Sequence, residues 1–388
     1  MFKNHRPVWE EVNLDNLAYN MKNIRARAKS KELFAVVKAD AYGHGAVEVA
    51  PVLLENGATR LAVAILAEGV ELRKAGITCP INILGYTPET LFGDILEYNL
   101  EPVVFGYEYA EKLSKAAAAA GKTVKIHIKV DTGMGRIGFL PNEESVGEAV
   151  KLSKLPNLEV EGLFSHFSTA DELNKEYSNY QYKNYNWFLD KLVENGVKIN
   201  IRDIDNSAAI MDLPETNLDG ARPGIILYGY YPSDEVDKKV LDIKPVMTLK
   251  ACILHIKTLE EGQYIGYGRK FKTERKSVIG TLGIGYADGY TRMLSKKAKV
   301  IINGKFAPVV GNICMDQCML DLTDVGDVKV GDEVILMGTD GNLKFDVDDI
   351  APLLGTINYE VLCMIGRRVP RVYTKGGKVV KVKDLLLK

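Results

Sequence analysis

Short apolar runs of strand length recur along the first two thirds of the chain, at Leu33 to Val37, Arg60 to Ala64, Ile81 to Leu84, Glu101 to Val104, Val124 to Val130, Leu158 to Leu163, Ile199 to Ile204 and Ile225 to Tyr228. Most are separated by stretches with helical spacing, such as Gly45 to Glu55, Tyr107 to Ala120 and Tyr177 to Val193. A preceding helix is predicted from Asn13, a suitable N-cap, with Leu14, Leu17, Met21 and Ile24 recurring on one face. Parallel neighbours need a crossover at each step, so eight strand candidates joined mostly by helices predict a (β/α)8 barrel. A doubly wound open sheet is the competing architecture, and strand number and even spacing favour the barrel.

Near residue 240 the rhythm changes. Val246 to Thr258 alternates over a long strand-like stretch, followed by short runs at Ser277 to Ile284, Lys299 to Ile302, Phe306 to Val310, Cys318 to Leu322 and Glu333 to Met337. Asn303-Gly304 is a hairpin signal between two of them. Short strands punctuated by glycine predict a mostly β domain. The expected division is a barrel over residues 13–240 and a β-rich domain over 241–388, with residues 1–12 packed against the latter.

Composition adds exclusions. With 50 basic and 51 acidic residues the net charge is −1, which argues against a nucleic-acid or polybasic membrane surface. The longest apolar stretch, Leu61 to Ala67, is seven residues, against the roughly 20 that span a bilayer. The start, MFKNHRPVWEEV, has no apolar signal-peptide core, and five scattered cysteines match reduced thiols better than a disulfide framework. The expected location is cytoplasmic. The five histidines show no metal-ligand spacing, so no structural metal is expected.

In an α/β barrel the chemistry sits where strands end and βα loops begin. The first strand ends in Lys38-Ala39-Asp40-Ala41-Tyr42-Gly43-His44-Gly45. A lone lysine there would be a snorkelling surface residue, but polar rings and glycines beside it suit a ligand mouth, where desolvation makes a lysine a nucleophile or base. The fifth strand leads into Asp131-Thr132-Gly133-Met134-Gly135-Arg136-Ile137-Gly138, a formal GxGxxG. Rossmann glycines open a helix, whereas the next helix here is predicted only from Asn142, so the match is weak. Lys129, near that strand's end, could face the interior, where Arg136 would repel it unless it were neutralised or modified. The sixth strand ends in Ser165-His166-Phe167 and the seventh in Asn206-Ser207, an N-cap or a phosphate contact. Arg222-Pro223-Gly224-Ile225 sets a fixed positive charge beside a turn, where many barrels bind phosphate. In the β domain, Gly266-Tyr267-Gly268 places a ring on closely approached backbone.

Together these segments resemble the alanine racemases, pyridoxal-phosphate enzymes that interconvert L- and D-alanine. The resemblance covers essentially the whole chain: VVKADAYGHG at 36–45, VDTGMGRIG at 130–138, SHFSTAD at 165–171, NSAA at 206–209, GARPGIILYG at 220–229, GYG at 266–268, GYADGY at 285–290, ICMDQ at 313–317 and INYE at 357–360. It implies pyridoxal 5′-phosphate joined to Lys38, which is also one catalytic base, and a second base, Tyr267, supplied by the other subunit of a homodimer. It implies Arg222 at the pyridine nitrogen and Arg136 near the cofactor phenolate and the substrate carboxylate. Tyr42, Ser207, Gly224, Ile225 and Tyr359 match the phosphate cradle, and Asn206 is a further cofactor-binding position. His166 matches a residue supporting the arginine and tyrosine network, Met315 one whose backbone meets the substrate carboxylate, and Tyr286 a partner-subunit residue at the entrance. Lys129 matches a position carbamylated in several members. The implied role is supply of D-alanine for peptidoglycan from a small amino-acid substrate.

Two bases flanking one carbon suit a reaction that removes a proton from one face and returns one to the other. A tyrosine phenol titrates near 10 in water, so it needs positive neighbours to act as a base near neutrality, and His166 and Arg222 are the candidates. Many members carry arginine where this chain has Asn312, which bears on the charge near the substrate carboxylate. The alternatives are a serine or broad-specificity racemase of the same fold, a non-catalytic pyridoxal-phosphate barrel and a related decarboxylase barrel. The last two would lack the Tyr267 and ICMDQ segments.

Overall fold

The computed structural model describes residues 6–387. The expectations for residues 1–12 and 241–388 include residues 1–5 and 388, which lie outside the described residues. The chain divides into two compact units: Leu17–Ala41 with Gly45–Lys244, and the residues up to Asn16 with Tyr42–His44 and those from Pro245 onward.

Strand β1 (Val8–Asn13) belongs to the second unit. The first unit is a closed barrel of β2 (Glu32–Val36), β3 (Arg60–Val63), β4 (Ile81–Ile83), β5 (Glu101–Val104), β6 (Val124–Lys129), β7 (Leu158–Phe164), β8 (Ile201–Asp205) and β9 (Gly220–Ala221). All neighbours are parallel, and β9 closes the ring by pairing with β2, Glu32 opposite Gly220 and Leu33 opposite Ala221. The helices between strands supply the crossovers that parallel pairing demands. One of them, Glu143–Leu152, starts where Asn142 accepts a hydrogen bond from the Ser145 N–H. The glycines 133, 135 and 138 therefore lie in a loop ahead of the helix, and the Rossmann alternative falls away.

The eighth strand is not Ile225 to Tyr228, as the apolar run suggested. Those four residues form one 3-10 turn, each fully buried, and the closing strand is the two-residue β9. An apolar run reports burial and leaves the backbone conformation open. Gly220 suits the closure because a Cβ there would lie 3.0 Å from both Asp203 Cβ and Phe34 Cε2.

The N-terminal end of the barrel interior is charged. Arg60 pairs with Glu101 at 2.8 Å and Glu161 at 2.5 Å, and His127 Nε2 lies 2.9 Å from Glu101. Burial alone would raise the Glu161 carboxyl, but hydrogen bonds from Asn200 and Arg60, with the charges of Arg60 and Lys125, bring it down to about 2. Each buried charge is thus matched, as a low-dielectric interior requires.

The second unit is a twisted sheet of β1, β10 (Met247–Leu259), β13 (Ser277–Leu282), β14 (Lys299–Ile302), β15 (Lys305–Val310), β16 (Cys318–Asp321), β17 (Glu333–Asp340), β18 (Leu343–Phe345), β19 (Arg371–Lys375) and β20 (Lys378–Lys383). A separate ribbon joins β11 (Tyr264–Ile265) to β12 (Phe271–Lys272). The order among the described residues is β18-β17-β14-β15-β16-β13-β10-β1-β19-β20. β14 and β15 form the hairpin read from Asn303-Gly304, whose φ angles of 50° and 67° are those of a primed turn. No helix among the described residues is long and apolar enough to cross a membrane.

Candidate functional site

β2 leads directly into the turn that carries Lys38. Ala39, Asp40, Ala41 and Tyr42 all have φ between 51° and 56°, a left-handed helical turn made of non-glycine residues. Each such residue costs about 1–2 kcal/mol, so surrounding hydrogen bonds must hold it. The Ala39 N–H donates to Glu68 at 2.6 Å, and Asp40 Oδ1 accepts from the Ala46 N–H at 2.7 Å. The Ala41 N–H donates to the Val37 carbonyl at 2.9 Å, and the Gly45 N–H to that of Asp40 at 2.8 Å. In the second unit, buried Arg371 donates to the Gly43 carbonyl at 3.1 Å and also to those of Ile365, Gly366 and Val369. The turn leaves Lys38 half-buried and Tyr42 buried. Burial, then the nearby Cys363, pushes the Tyr42 phenol above its usual range. Its ring lies 6.2 Å from that of Tyr359, centroid to centroid.

The other strand ends of the barrel gather positive charge. Lys129 is 3% exposed, its Nζ has no hydrogen-bond partner among the described residues, and it sits 4.7 Å over the Phe164 ring. Burial first, then Arg222 and Arg136, hold its amine well below the usual lysine range. Arg222 is equally buried, ion-paired with Asp203, and donates to the carbonyls of Ser165 at 2.6 Å and Ile204 at 3.3 Å. Burial lowers its guanidinium to about 9, which leaves it charged at neutrality. Arg136 is exposed on the loop after β6. Asp131 shapes that loop by accepting the N–H groups of Gly133, Gly135 and Arg136 at 2.8–3.0 Å. Burial opposes this, yet those three bonds bring the carboxyl below its usual range.

His166 stands among these groups. Burial, then Arg222, Lys129, Arg136 and Lys38 in that order, hold it well below its ordinary range, and it is neutral at pH 7. The expectation that His166 supplies positive charge is therefore corrected: burial and the basic side chains beside it disfavour a further charge there.

Two helical turns begin side by side after β8 and β9. Asn206 caps Ser207–Asp212 by accepting from the Ala209 N–H, and the Ser207 hydroxyl accepts from the Gly224 N–H at 2.9 Å. Gly224 immediately precedes the turn Ile225–Tyr228. The first N–H groups of such turns have no intrahelical partner and favour an anion.

In the second unit, three loops present large side chains to solvent: Tyr267 is 73% exposed, Met315 53% and Tyr286 43%. Hydrogen bonds tie them together. The Tyr286 and Ala287 N–H groups donate to the Cys314 and Met315 carbonyls, each at 3.0 Å, and Asn312 Nδ2 donates to the Tyr267 carbonyl at 2.8 Å. Gly285 permits this approach, since a Cβ would fall 2.4 Å from the Met315 oxygen. Asp288, fully buried, receives Arg6 at 2.6 Å and Arg368 at 3.4 Å, and Arg368 reaches on to Asp316 at 2.8 Å.

Sequence reasoning missed Asp203, Asp131, and the Asp288, Arg368 and Asp316 chain. Asp203 had a signal: in Ile201-Arg202-Asp203-Ile204-Asp205 it falls between apolar positions on a barrel strand, where an acid needs a partner. Among the described residues no group of His, Cys, Asp and Glu is arranged to hold a metal ion.

A closed parallel barrel with basic side chains and helix starts at its C-terminal strand ends, followed by a β unit, defines an α/β-barrel protein with an appended β domain. Comparison with known proteins narrows the class. Residues 12–232 match the family description "Alanine racemase, N-terminal domain" and residues 246–373 match "Alanine racemase, C-terminal domain". The chain is 64% identical over 384 residues to alanine racemase 1 of Clostridium acetobutylicum, covering 99% of this chain and 100% of that protein. It superposes on the alanine racemase of Clostridium difficile 630 with a TM-score of 0.94 at 50% identity, covering 98% of this chain and 99% of that one. The alanine racemase of Bacillus anthracis with bound L-Ala-P gives a TM-score of 0.93 at 39% identity, with 98% of each chain covered. The chain belongs to the alanine racemase family.

Proposed function

We propose that the protein interconverts L- and D-alanine using pyridoxal 5′-phosphate, in the cytoplasm, where five free cysteines stay reduced. The observation that carries the reading is the basic cluster at the strand ends: Lys129 Nζ lies 4.7 Å and the Arg222 guanidinium 5.0 Å from the Phe164 ring centroid, and both, with Lys38 and Arg136, bear on His166. Such an excess of basic groups calls for an anionic occupant, and a cofactor with a phosphate and a phenolate fits it. The unpartnered Nζ of Lys129 inside the same cluster points the same way. Lys38 would hold the group through its amine; Tyr42, Ser207, Gly224, Ile225 and Tyr359 would hold the phosphate, with Asn206 a further cofactor-binding residue; Arg222 would donate to the ring nitrogen; Arg136 would serve the phenolate side; and His166 would support the arginine and tyrosine network.

When bound, pyridoxal phosphate delocalises the charge that forms on an amino-acid α-carbon as its proton leaves. Lys38 Nζ takes or returns that proton on one face and Tyr267 Oη on the other. Arg222, charged at neutral pH and held by Asp203, keeps its proton and so leaves the ring nitrogen without one, which favours return of the proton over side reactions. Met315 and Arg136 orient the substrate carboxylate, and Tyr286 narrows the entrance. The exposure of Tyr267, Tyr286 and Met315 on one hydrogen-bonded set of loops supports a homodimer in which these residues complete the partner's site.

Assays of the purified protein with added cofactor should show racemisation of L-alanine with kcat/KM roughly tenfold or more above that for L-serine, since an added hydroxyl is rejected only modestly. Serine in first place would shift the reading to the alternative substrate. No racemisation by cofactor-loaded protein would leave a carrier barrel.

Lys129 carries a second part of the proposal. Its amine, which burial and then Arg222 and Arg136 push toward the uncharged form, adds to carbon dioxide, forming an N–C bond and releasing one proton, and the resulting carbamate sets a negative charge beside Arg222 and Arg136. Isotopically labelled bicarbonate should give a carbamate carbon resonance in the wild type that is absent from Lys129→Ala; an identical spectrum from both would dismiss the modification.

A further inference from the structure

We propose that Asn312 is a positioning residue for Tyr267. The inference rests on Tyr267 being a base, and it asks what holds that base still.

The β11–β12 ribbon, with Ile265 opposite Phe271, closes the loop that carries it, yet the ring itself is little held within its unit. The ring is 73% exposed, so packing within the unit leaves it loose, and its direction follows from the backbone. That backbone is unusual. Gly266 has φ 72° with ψ −179°, Gly268 has φ 71° and Arg269 has φ 50°. Conformations of this kind persist when neighbouring structure over-determines them. Within the loop the Arg269 N–H donates to the Gly266 carbonyl at 3.3 Å. The tie from outside is the Asn312 amide, donating to the carbonyl of Tyr267 itself at 2.8 Å. A Cβ at Gly266 would lie 3.4 Å from the Asn312 nitrogen, so the two segments already touch along their backbones.

Asn312 is a sound anchor. It is half-buried, and the next residue, Ile313, donates its N–H to the Ser295 hydroxyl at 2.9 Å. Cys314 closes a turn by donating its N–H to the Gln317 carbonyl at 2.9 Å. The same turn carries Met315 and accepts the Tyr286 N–H through the Cys314 carbonyl. One side-chain amide thus joins the loop bearing the proposed base to the turn bearing the carboxylate contact. A short side chain with two rotatable bonds fixes that distance more tightly than a long one would.

Asn312→Asp tests this with almost no change in volume. It replaces the donor by an acceptor that faces the same carbonyl and repels it. Asn312→Gln, which keeps a donor on a longer arm, is the conservative partner. Beginning with the alanine enantiomer whose α-hydrogen faces Lys38, exchange of that hydrogen for solvent deuterium needs Lys38 alone, whereas racemisation needs Tyr267 as well. The ratio of exchange with retention to racemisation should rise about tenfold in Asn312→Asp, the scale of one lost hydrogen bond, and return part of the way in Asn312→Gln. Amide exchange of peptides covering residues 264–272, followed by mass spectrometry, should become faster in Asn312→Asp with the thermal midpoint unchanged. A purely structural fault would lower exchange and racemisation together. Tyr267→Phe separates the two readings. If Tyr267→Phe racemises like the wild type, the base assignment fails. If Tyr267→Phe is inactive while Asn312→Asp keeps the wild-type ratio and peptide exchange, Asn312 has no positioning role.

Discussion

Lys38→Ala is expected to abolish racemisation and to remove the long-wavelength absorbance that the cofactor acquires when joined to the protein. Loss of a positioned base alone costs roughly 10²–10⁴ in rate. Loss of the amine that holds the cofactor removes the rest, so activity should fall below detection. The fold should survive, because Lys38 is half-buried and the hydrogen bonds that hold its turn come from Val37, Asp40, Glu68 and Arg371. An unchanged thermal midpoint together with lost absorbance and activity is the expected pattern. Full activity in the variant would overturn the assignment, and a collapsed midpoint would mean that Lys38 is mainly structural.

The second large effect is expected at Arg222. Its guanidinium ion-pairs with buried Asp203 and satisfies two carbonyls. Arg222→Met leaves the acid without a counter-charge and should cost about 3–5 kcal/mol, a fall of roughly 5–15 °C in thermal midpoint. Arg222→Met combined with Asp203→Leu removes both charges and should regain most of that stability, since apolar replacements of a buried pair are often neutral or better. Neither variant should regain racemisation if Arg222 serves the cofactor ring nitrogen. Recovery of both stability and activity in the double variant would reduce Arg222 to a structural role. A single variant as stable as the wild type would contradict the buried pair.

Seven of the eight barrel strands fell where the apolar runs stood, because a strand buried by crossover helices is apolar on both faces and reads as a continuous run. The eighth did not. Gly220–Ala221 is too short to leave a pattern, and Ile225 to Tyr228 carries the apolar signal of a strand while adopting a 3-10 turn. The candidate residues at the strand ends were legible as residue types at the right junctions. Their charges were not. Lys129 and His166 read as basic groups, yet burial first, then cations that distant strands bring beside them, hold each well below its ordinary range. Asn312 was visible as a departure from the family, and its contact with the Tyr267 carbonyl, 45 positions away, was not.

By itself the sequence determined the barrel and the β unit, the positions of the loops that carry chemistry, and the family. Burial periodicity and turn residues are local, and local pattern is what a sequence displays. The tertiary structure alone decided the left-handed turn at Ala39 to Tyr42, since alanine and tyrosine disfavour it, one aspartate tolerates it without imposing it, and the Gly43 carbonyl that follows is held by Arg371, 328 residues away. It also decided which buried charges are matched and which are extinguished. Those outcomes depend on the dielectric and the counter-charges around each group, and folding assembles both from segments far apart in the chain.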